Sequence, residues 1–300
     1  MPLEVFDVMI PNMSAGVPPK RSYRCECINY VFVAGDIVSL EFLWPGPAPR
    51  GGQFFLIKPR RTGVFLGRPI SAAGFKFAAR QSIDIRESSD RRQKTDKTIK
   101  FDRRKNADRR LGDDVVLRFI IARRGNGSRD LVDMRPGEEA ELIGPLGNCW
   151  PHADVPPGPI ALISGGIGIA PLLAVVPELG KRPYDFYAGF KTGSYGLENL
   201  KPRALITSTE DGSQGVKGRI PDFFTPLGYS AVFACGPESM LKMIAKGCTS
   251  GGVPCFISIE KNMACGLGAC LGCSIKTSLG NRRCCTDGPI FNAEEIYFEE

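Results

Sequence analysis

Histidine is almost absent from this sequence, whose 300 residues include only one, His152. That residue follows Trp150 and Pro151, at a junction between two predicted domains. Catalytic triads of the Ser-His-Asp type and facial triads of the non-haem iron type both depend on histidine beside the reacting group. The sequence offers neither arrangement and therefore gives little support to a hydrolase.

Long apolar runs are also absent. No stretch approaches the roughly 20 apolar residues that a helix needs to cross a bilayer. Acidic and proline residues interrupt the first 20 positions, at Glu4, Asp7, Pro11, Pro18 and Pro19. A secretory signal requires an unbroken apolar segment. We therefore expect a cytosolic (cytoplasmic) protein that has no membrane partner and keeps its thiols reduced.

Positive charge is concentrated in one segment. The net charge is +7, and Arg80 to Arg110 contains 12 lysine and arginine residues against 6 aspartate and glutamate residues, so this stretch carries +6. It has few apolar residues and no sustained period of 2 or 3.6, which predicts a mobile charged insertion over about 80–112. A docking surface for an acidic partner is the alternative. Nucleic-acid binding is not expected, because Phe101 is the only aromatic residue of the stretch.

Cysteine, in contrast, is abundant, with 11 residues. Four near the C-terminus have the spacing C-x4-C-x2-C-x11-C, and they are Cys265, Cys270, Cys273 and Cys285. This spacing is typical of plant-type [2Fe-2S] sites, and glycines between the first three cysteines would let the loop approach a cluster closely. Structural zinc sites usually present C-x2-C pairs, of which there is only one here. The spacing predicts an electron carrier, with a non-catalytic iron–sulfur or zinc module as the alternative from another class.

Two changes of pattern divide the rest of the chain. Short β-rich runs separated by glycine and proline turns predict an antiparallel barrel over residues 20–150, excluding the insertion. After the prolines at 156, 157 and 159, continuous apolar runs alternate with helical stretches. That alternation predicts a parallel α/β domain over 156–255. Residues 256–300, which hold the cysteines, form the predicted third domain.

Two turns in the α/β domain lie where a dinucleotide could bind. Residues 164–171, Ser-Gly-Gly-Ile-Gly-Ile-Ala-Pro, follow a buried strand and open a helix, so backbone N–H groups would face a pyrophosphate. Residues 235–238, Cys-Gly-Pro-Glu, follow another strand at the same predicted edge of the sheet. A tight turn without a ligand is the alternative for the first motif, and a small buried residue is the alternative for Cys235. The polar turn from Thr209 to Ser213 has two interpretations: it contacts a ribose, or it only caps a loop.

Two short motifs in the barrel have groups suited to a phosphate-bearing ligand. Arg68-Pro69-Ile70-Ser71 combines a guanidinium, which suits a pyrophosphate, with a hydroxyl that could bond an isoalloxazine edge. Gly127 and Ser128 offer a second phosphate nest. Each motif alone is also compatible with an ordinary surface segment.

The order of these motifs resembles the ferredoxin reductase superfamily. The segment from Met263 to Cys270, with Cys285-Thr286-Asp287-Gly288-Pro289, resembles one branch, the electron-transfer subunits of class 1B dihydroorotate dehydrogenases. The resemblance covers about residues 23 to 300, excluding the insertion. It implies a flavin-binding barrel, a parallel-sheet nucleotide-binding domain and a C-terminal [2Fe-2S] domain.

The resemblance also implies a role for each motif. FAD would be held by Arg68, Pro69, Ile70, Ser71, Gly127 and Ser128. NAD(H) would be received by Gly165, Gly166, Gly168, Pro171, Cys235, Gly236 and Pro237. The cluster would be ligated by Cys265, Cys270, Cys273 and Cys285, because only Cys285 fits the family's Cys-x-Asp-Gly-Pro pattern, which leaves Cys284 as a neighbour.

Three departures from the family pattern stand out. The charged segment interrupts a connection that is usually short, and roughly twenty residues precede Tyr23. Ile121 and Ala122 occupy positions where the family tends to have a Tyr-Arg pair. Arg123 or Arg124 is the expected substitute, and flavin affinity is the property these changes would affect.

The function implied by the resemblance is electron transfer in pyrimidine biosynthesis. NADH would reduce FAD, and single electrons would pass through the cluster to a separate FMN-containing dihydroorotate dehydrogenase catalytic subunit, in a heterotetramer of two plus two. Two rivals remain, the small subunit of an NADH-dependent ferredoxin:NADP oxidoreductase, which tends to have Asp at position 265, and a stand-alone reductase that feeds an oxygenase. Lys191 could bind a 2′-phosphate, so NADPH remains the alternative to NADH as the nucleotide.

Overall fold

A computed structural model of the protein describes residues 21–60, 63, 65–77 and 115–298. The predicted charged insertion and the twenty residues before the first strand lie outside these ranges, so the expectations about them stay predictions. Fifteen strands and three helices are assigned within the described ranges, together with short 3-10 turns.

Six antiparallel strands close a barrel in the order β1-β2-β5-β4-β3-β6. Their bounds are β1 Arg21–Ala34, β2 Ile37–Trp44, β3 Phe54–Pro59, β4 Arg68–Phe77, β5 Val115–Ala122 and β6 Glu139–Leu146. The antiparallel barrel is therefore confirmed. Its fourth strand has no alternating β-rich pattern, because the middle of β4 is Ser-Ala-Ala-Gly and its outer end is exposed.

The barrel core is built by alternation along the strands. In β2, Val38, Leu40, Phe42 and Trp44 are all at most 1% exposed, as expected when every second side chain faces inward. Phe55 of β3 meets the Trp44 ring edge-to-face at 5.0 Å between centroids. This aromatic core holds the barrel strands, and with them the start of β4, in a fixed arrangement.

The second unit is a seven-stranded sheet in the order β10-β9-β8-β7-β11-β12-β15. Its strands are β7 Ile160–Gly165, β8 Tyr184–Phe190, β9 Leu205–Thr209, β10 Val216–Lys217, β11 Ala231–Cys235, β12 Cys255–Ser258 and β15 Ile290–Asn292. All neighbours are parallel except β12 and β15. Every residue of β7, β8 and β11 is buried, which explains their continuous apolar runs. The predicted parallel sheet is confirmed.

Three helices accompany these sheets: α1 Asn126–Val132, α2 Ile169–Val175 and α3 Glu238–Gly251. Single 3-10 turns occur at Gly166–Gly168, Val176–Leu179, Ile220–Phe223 and Ala293–Glu295. The predicted helix after the glycine turn is thus α2 continued by one tighter turn. Within the described ranges, no helix has the length and apolar character that crossing a membrane requires.

The cysteine segment is an excursion from the sheet. It leaves after β12, forms a hairpin from β13 Ser274–Thr277 and β14 Gly280–Arg283, and returns as β15 beside β12. The predicted division after residue 255 falls inside β12, because Cys255 and Phe256 pair with β11 in one continuous register.

The barrel and the sheet are joined firmly. Trp150 stacks on Phe233 with ring centroids 5.1 Å apart, and its indole N–H donates to the Pro171 carbonyl at 3.0 Å. The Arg182 guanidinium donates to the His152 carbonyl at 2.7 Å and also to the Pro156 carbonyl. His152 therefore belongs to a structural junction.

Candidate functional site

A large cavity of about 660 Å³ lies where the barrel meets the sheet. Its wall includes all six predicted barrel residues, Arg68, Pro69, Ile70, Ser71, Gly127 and Ser128. Pro171 and Cys235 line it from the sheet. Residues that are far apart in the chain therefore meet at one cavity, whose volume lies within the usual range for ligand pockets.

Arg68, at the start of β4, has an unusual environment. Its Nε atom is buried and has no hydrogen-bond partner among the described residues. A Cβ atom at position 127 would lie only 1.7 Å from that Nε, so glycine at this position leaves space for the guanidinium. A buried donor without an acceptor costs about 1–3 kcal/mol. The site is therefore chemically suited to a ligand that brings acceptor oxygens.

Ser128 shapes the loop in front of α1. Its hydroxyl accepts hydrogen bonds from the N–H groups of Arg124 and Gly125 at 2.7 and 2.9 Å and donates to the Gly125 carbonyl at 3.0 Å. The hydroxyl is thus already engaged. Gly127 and Ser128 therefore contribute mainly by forming a closely packed loop against Arg68.

The structure separates the two arginines expected to replace the family's Tyr-Arg pair. Arg123 pairs with Asp133, with 2.8 Å between Nη2 and Oδ1, on the outer surface of the barrel. Arg124 instead lines the large cavity and the neighbouring smaller cavity. Ile121 and Ala122 also line the large cavity. Arg124 is therefore the better candidate for a ligand contact.

A smaller cavity of about 310 Å³ adjoins the carboxyl ends of the central parallel strands. Three predicted nucleotide residues line it, Gly165, Gly166 and Pro237. Gly166 has φ +53°, a left-handed conformation that favours glycine. This edge of an open α/β sheet is where ligands commonly bind.

Gly168 and Gly236 act through packing. A Cβ atom at Gly168 would lie 2.3 Å from the Cys235 carbonyl oxygen, and one at Gly236 would lie 2.9 Å from the backbone of Gly165. The two predicted turns therefore interlock backbone to backbone. The tight contact keeps the ends of β7 and β11 together at the floor of both cavities.

Cys235 is a buried thiol in the wall of the large cavity. Burial raises the pKa of this thiol strongly, and the negative charge of Glu260 raises it further. Cys235 is therefore neutral at ordinary pH and unsuited to act as a nucleophile. The alternative of a small buried residue agrees with its environment, while its position at the cavity fits a contact with a ligand ring.

Sequence interpretation missed one side of the large cavity. The segment after β12 contributes Ser258, Ile259, Glu260, Lys261, Asn262 and Met263 to its wall. Glu260 is the only acidic side chain among the described residues that line this cavity. The available signal was its location just past a parallel strand, at the ligand-binding edge of the sheet.

The four predicted cluster cysteines come together as two pairs. The thiol of Cys265 interacts with that of Cys270, and the thiol of Cys273 interacts with that of Cys285. Within the described part of the chain, no three His, Cys, Asp or Glu side chains gather closely enough to hold a single metal ion. This pairing of the thiols suits two irons with two protein ligands each.

Backbone N–H groups surround Cys265. Burial acts to raise the pKa of its thiol, but hydrogen bonds from the N–H groups of Leu267, Cys270 and Ala269, with the Cys270 side chain, outweigh it and lower the pKa to about 6. The Leu267 nitrogen lies 3.4 Å from Sγ. Gly266 and Gly268 permit this geometry with φ of +66° and +84°. The loop is preorganised to stabilise negative sulfur.

Cys284 lies in the same apolar cluster as Cys273 and Cys285. Its side chain is fully buried in an apolar cluster with Phe54, Leu56 and Phe291. Burial raises the pKa of its thiol to about 12. The same cluster contains Met263, which lines the large cavity two residues before Cys265. The cysteine loop therefore packs directly against the barrel strand β3 behind one wall of that cavity.

Comparison with known proteins identifies sequence relatives. Residues 260–297 match the family described as the iron-sulfur cluster binding domain of dihydroorotate dehydrogenase B. The dihydroorotate dehydrogenase B (NAD(+)) electron transfer subunit of Clostridium acetobutylicum is 42% identical over 190 residues, which cover 63% of this chain and 77% of that protein. Its counterpart in Clostridium perfringens is 36% identical over 253 residues, covering 82% of this chain and 87% of that protein.

Solved structures share the fold at lower identity. An NADH-dependent reduced ferredoxin-NADP oxidoreductase structure matches with a TM-score of 0.68 and 22% identity, covering 91% of this chain and 90% of the other. Phthalate dioxygenase reductase matches with a TM-score of 0.52 and 16% identity, covering 80% of this chain and 70% of the other. These likenesses show a shared barrel-and-sheet architecture.

Proposed function

This chain belongs to the family of dihydroorotate dehydrogenase B (NAD(+)) electron transfer subunits, and from that membership we propose that it moves electrons between NADH and a separate catalytic subunit. The observation that carries the proposal is the position of the two thiol pairs immediately behind the wall of the large cavity. FAD would occupy that cavity, a [2Fe-2S] cluster the cysteine loop, and NADH the smaller cavity.

The residues of the large cavity fit FAD. The Nε of Arg68 is buried without a hydrogen-bond partner among the described residues, and Gly127 leaves space beside it. Together they provide a binding site for a phosphate-bearing group. Apolar side chains such as Phe54, Ile70 and Ile120 line the rest of the wall, which suits a flat ring system and limits the access of water. The absence of the family's Tyr-Arg pair is then compensated by Arg124.

The cysteine loop fits a [2Fe-2S] cluster. It offers four thiols in two pairs, and N–H groups that stabilise negative charge on Cys265. FAD, when bound, exchanges a hydride with a nicotinamide, and the cluster exchanges single electrons, so the two groups connect these chemistries. The residues of the chain orient both groups, keep Cys235 neutral in the wall of the larger cavity and exclude water from that cavity.

The smaller cavity supports NADH over NADPH. Lys191 follows β8 and Glu210 follows β9, and both line it. The neighbouring carboxylate, Asp211, is already bound by the N–H and hydroxyl of Ser213 at 2.9 and 2.7 Å. Glu210 is thus the carboxylate available to a ribose. It would accept hydrogen bonds from the ribose hydroxyls and repel a 2′-phosphate.

Replacing Glu210 with glutamine tests this selection. We expect the ratio of kcat/KM for NADH to that for NADPH to fall by about tenfold, because a juxtaposed like charge costs at least the roughly 1.4 kcal/mol that this factor represents. The measurement is diaphorase activity with each nucleotide. Asp211→Asn makes the same charge change one residue away and should leave the ratio nearly unchanged. Equal ratios in the two variants would show that Glu210 does not select the nucleotide.

The partner of this chain would be an FMN-containing dihydroorotate dehydrogenase catalytic subunit, with two copies of each chain in the complex. The family name implies a catalytic subunit, and the described residues form only the barrel, the sheet and the cysteine hairpin. The ferredoxin:NADP oxidoreductase alternative is supported by fold likeness alone. Cys265 also departs from the aspartate expected in that branch.

Anaerobic purification and spectroscopy test the function. The chain should contain FAD with about two irons and two sulfides, NADH should bleach its visible bands, and it should form a stable complex with the catalytic subunit. The complex should couple dihydroorotate oxidation to NAD reduction, and the isolated chain should not. Dihydroorotate oxidation by the isolated chain, or a preparation without iron and sulfide, would overturn the proposal.

A further inference from the structure

We infer that Arg283 is a positioning residue for the cluster, because its guanidinium fixes the Gly268–Ala269 peptide so that the N–H of this peptide faces Cys265 Sγ. The inference rests on the cluster proposed above and extends it to a side chain that is not a ligand. It predicts that Arg283 raises the reduction potential of the cluster.

The contacts of Arg283 carry the first step. Its Nη1 donates to the Gly268 carbonyl at 3.2 Å, and its Nε lies 3.4 Å from Oδ2 of Asp287. The same Oδ2 accepts the Arg283 backbone N–H at 2.8 Å. The carboxylate thus anchors the arginine, and the other end of the guanidinium fork holds the loop. Lysine has no fork and could not make both contacts from one rigid group.

Peptide geometry carries the second step. In a trans peptide, the carbonyl of one residue and the N–H of the next lie in one plane and point in opposite directions. The Gly268 carbonyl and the Ala269 N–H belong to the same peptide, so holding the carbonyl toward Arg283 turns the N–H away from it. That N–H faces Cys265 Sγ, to which the neighbouring Leu267 N–H donates at 3.4 Å. The backbone N–H of Gly268 itself faces Cys285.

Glycine at 268 makes this arrangement possible. Its φ is +84°, and a Cβ atom there would lie 2.8 Å from Thr286 Cγ2 and 3.3 Å from Arg283 Nη1. A glycine peptide has few conformational restraints of its own, so its orientation depends on an external contact. Arg283 provides that contact.

The consequence is electrochemical. Hydrogen bonds to cluster sulfurs stabilise the more negative, reduced form and so raise the reduction potential. Without the forked contact, the Gly268–Ala269 peptide could rotate and turn its N–H away from Cys265. The potential should then fall by an amount that changes the ratio of reduced to oxidised cluster about tenfold at a fixed ambient potential, or about 59 mV for one electron.

The test uses the full chain with its cofactors and an EPR-monitored redox titration. Arg283→Gln removes the charge and the fork, and Arg283→Lys keeps the charge but removes the fork. Arg282→Gln is the matched control, because it removes the same charge from the next position of β14, whose side chain faces the opposite side of the strand. Iron and sulfide content is measured for each variant.

Both Arg283 variants should retain the cluster and show a lower potential than the Arg282→Gln control. A wild-type potential in Arg283→Lys, or a shift in Arg283→Gln no larger than in the control, would overturn the inference. If Arg283→Gln retains too little cluster to titrate, the reduction potential of Arg283→Lys alone is compared with that of the control. Failure of the proposed function is distinguishable, because it would appear as missing iron and sulfide in the unmodified chain.

Discussion

Replacing Cys285 with serine should abolish or grossly alter the [2Fe-2S] EPR signal, whereas replacing the adjacent Cys284 with alanine should leave it intact. Mutating a residue that hydrogen-bonds to a metal ligand typically lowers metal affinity roughly 10–100-fold. Loss of a direct ligand should reduce cluster retention by at least as much. The comparison is sharp because the two cysteines are neighbours in the chain and both are buried.

The structural reason lies in the surroundings of the two thiols. The Cys285 thiol meets that of Cys273, opposite the pair formed by Cys265 and Cys270. Cys284 is fully buried in the same apolar cluster, and the pKa of its thiol is raised to about 12 by burial and by the neighbouring Cys273 and Cys285. Alanine there removes one sulfur from an apolar contact and should cost on the order of 1 kcal/mol of stability.

Iron and sulfide analysis with EPR of the dithionite-reduced protein checks this prediction. Circular dichroism and a thermal melt of each variant separate cluster loss from unfolding. An unchanged signal in Cys285→Ser, or loss of the signal in a folded Cys284→Ala protein, would mean that the four ligands have been assigned incorrectly. A second substitution, Cys273→Ser, should behave like Cys285→Ser because it removes the other member of the same pair.

Local features of the sequence predicted much of the architecture. The spacing of the four cysteines depends on a short loop and one hairpin, so few long-range contacts intervene between sequence and geometry. The buried strands β7, β8 and β11 are also recognisable, because a strand covered on both faces needs apolar residues throughout. The glycine turn at the end of β7 could therefore be placed as a candidate site from the local pattern, whereas the Arg68 motif was singled out by its resemblance to a family.

Features that depend on distant contacts were not predictable in the same way. β4 is rich in small residues and receives its structure from pairing with β3 and β5. Glu260 follows a strand end that the sequence indicates, but its place in the cavity wall depends on the barrel residues opposite it. The choice between Arg123 and Arg124 required the position of Asp133. In each case the decisive partner lies in another element, which the local pattern does not reveal.

Replacing Gly127 with alanine should weaken FAD binding about ten- to hundredfold without destabilising the protein. The added Cβ would occupy the position of the Arg68 guanidinium, 1.7 Å from Nε. Because the end of an arginine side chain is flexible, it would move away rather than unfold the loop. Loss of its charge-assisted contact with the flavin phosphates should cost about 1.5–3 kcal/mol of binding free energy.

The stability of the flavin-free chain separates the two effects. Residue 127 lies in α1, where alanine is favoured over glycine by up to about 1 kcal/mol, so the melting temperature without FAD should not fall. Gly125→Ala is the matched control, because that residue has φ −166° and a methyl group added there would meet no atom beyond its chain neighbours within 4 Å. Flavin fluorescence quenching measures affinity in both variants. Equal affinities in the two variants would show that Arg68 does not bind the flavin from the space that Gly127 leaves. Weaker flavin binding by Gly127→Ala, with unchanged binding by Gly125→Ala, would show that Arg68 and Gly127 together form the flavin phosphate site.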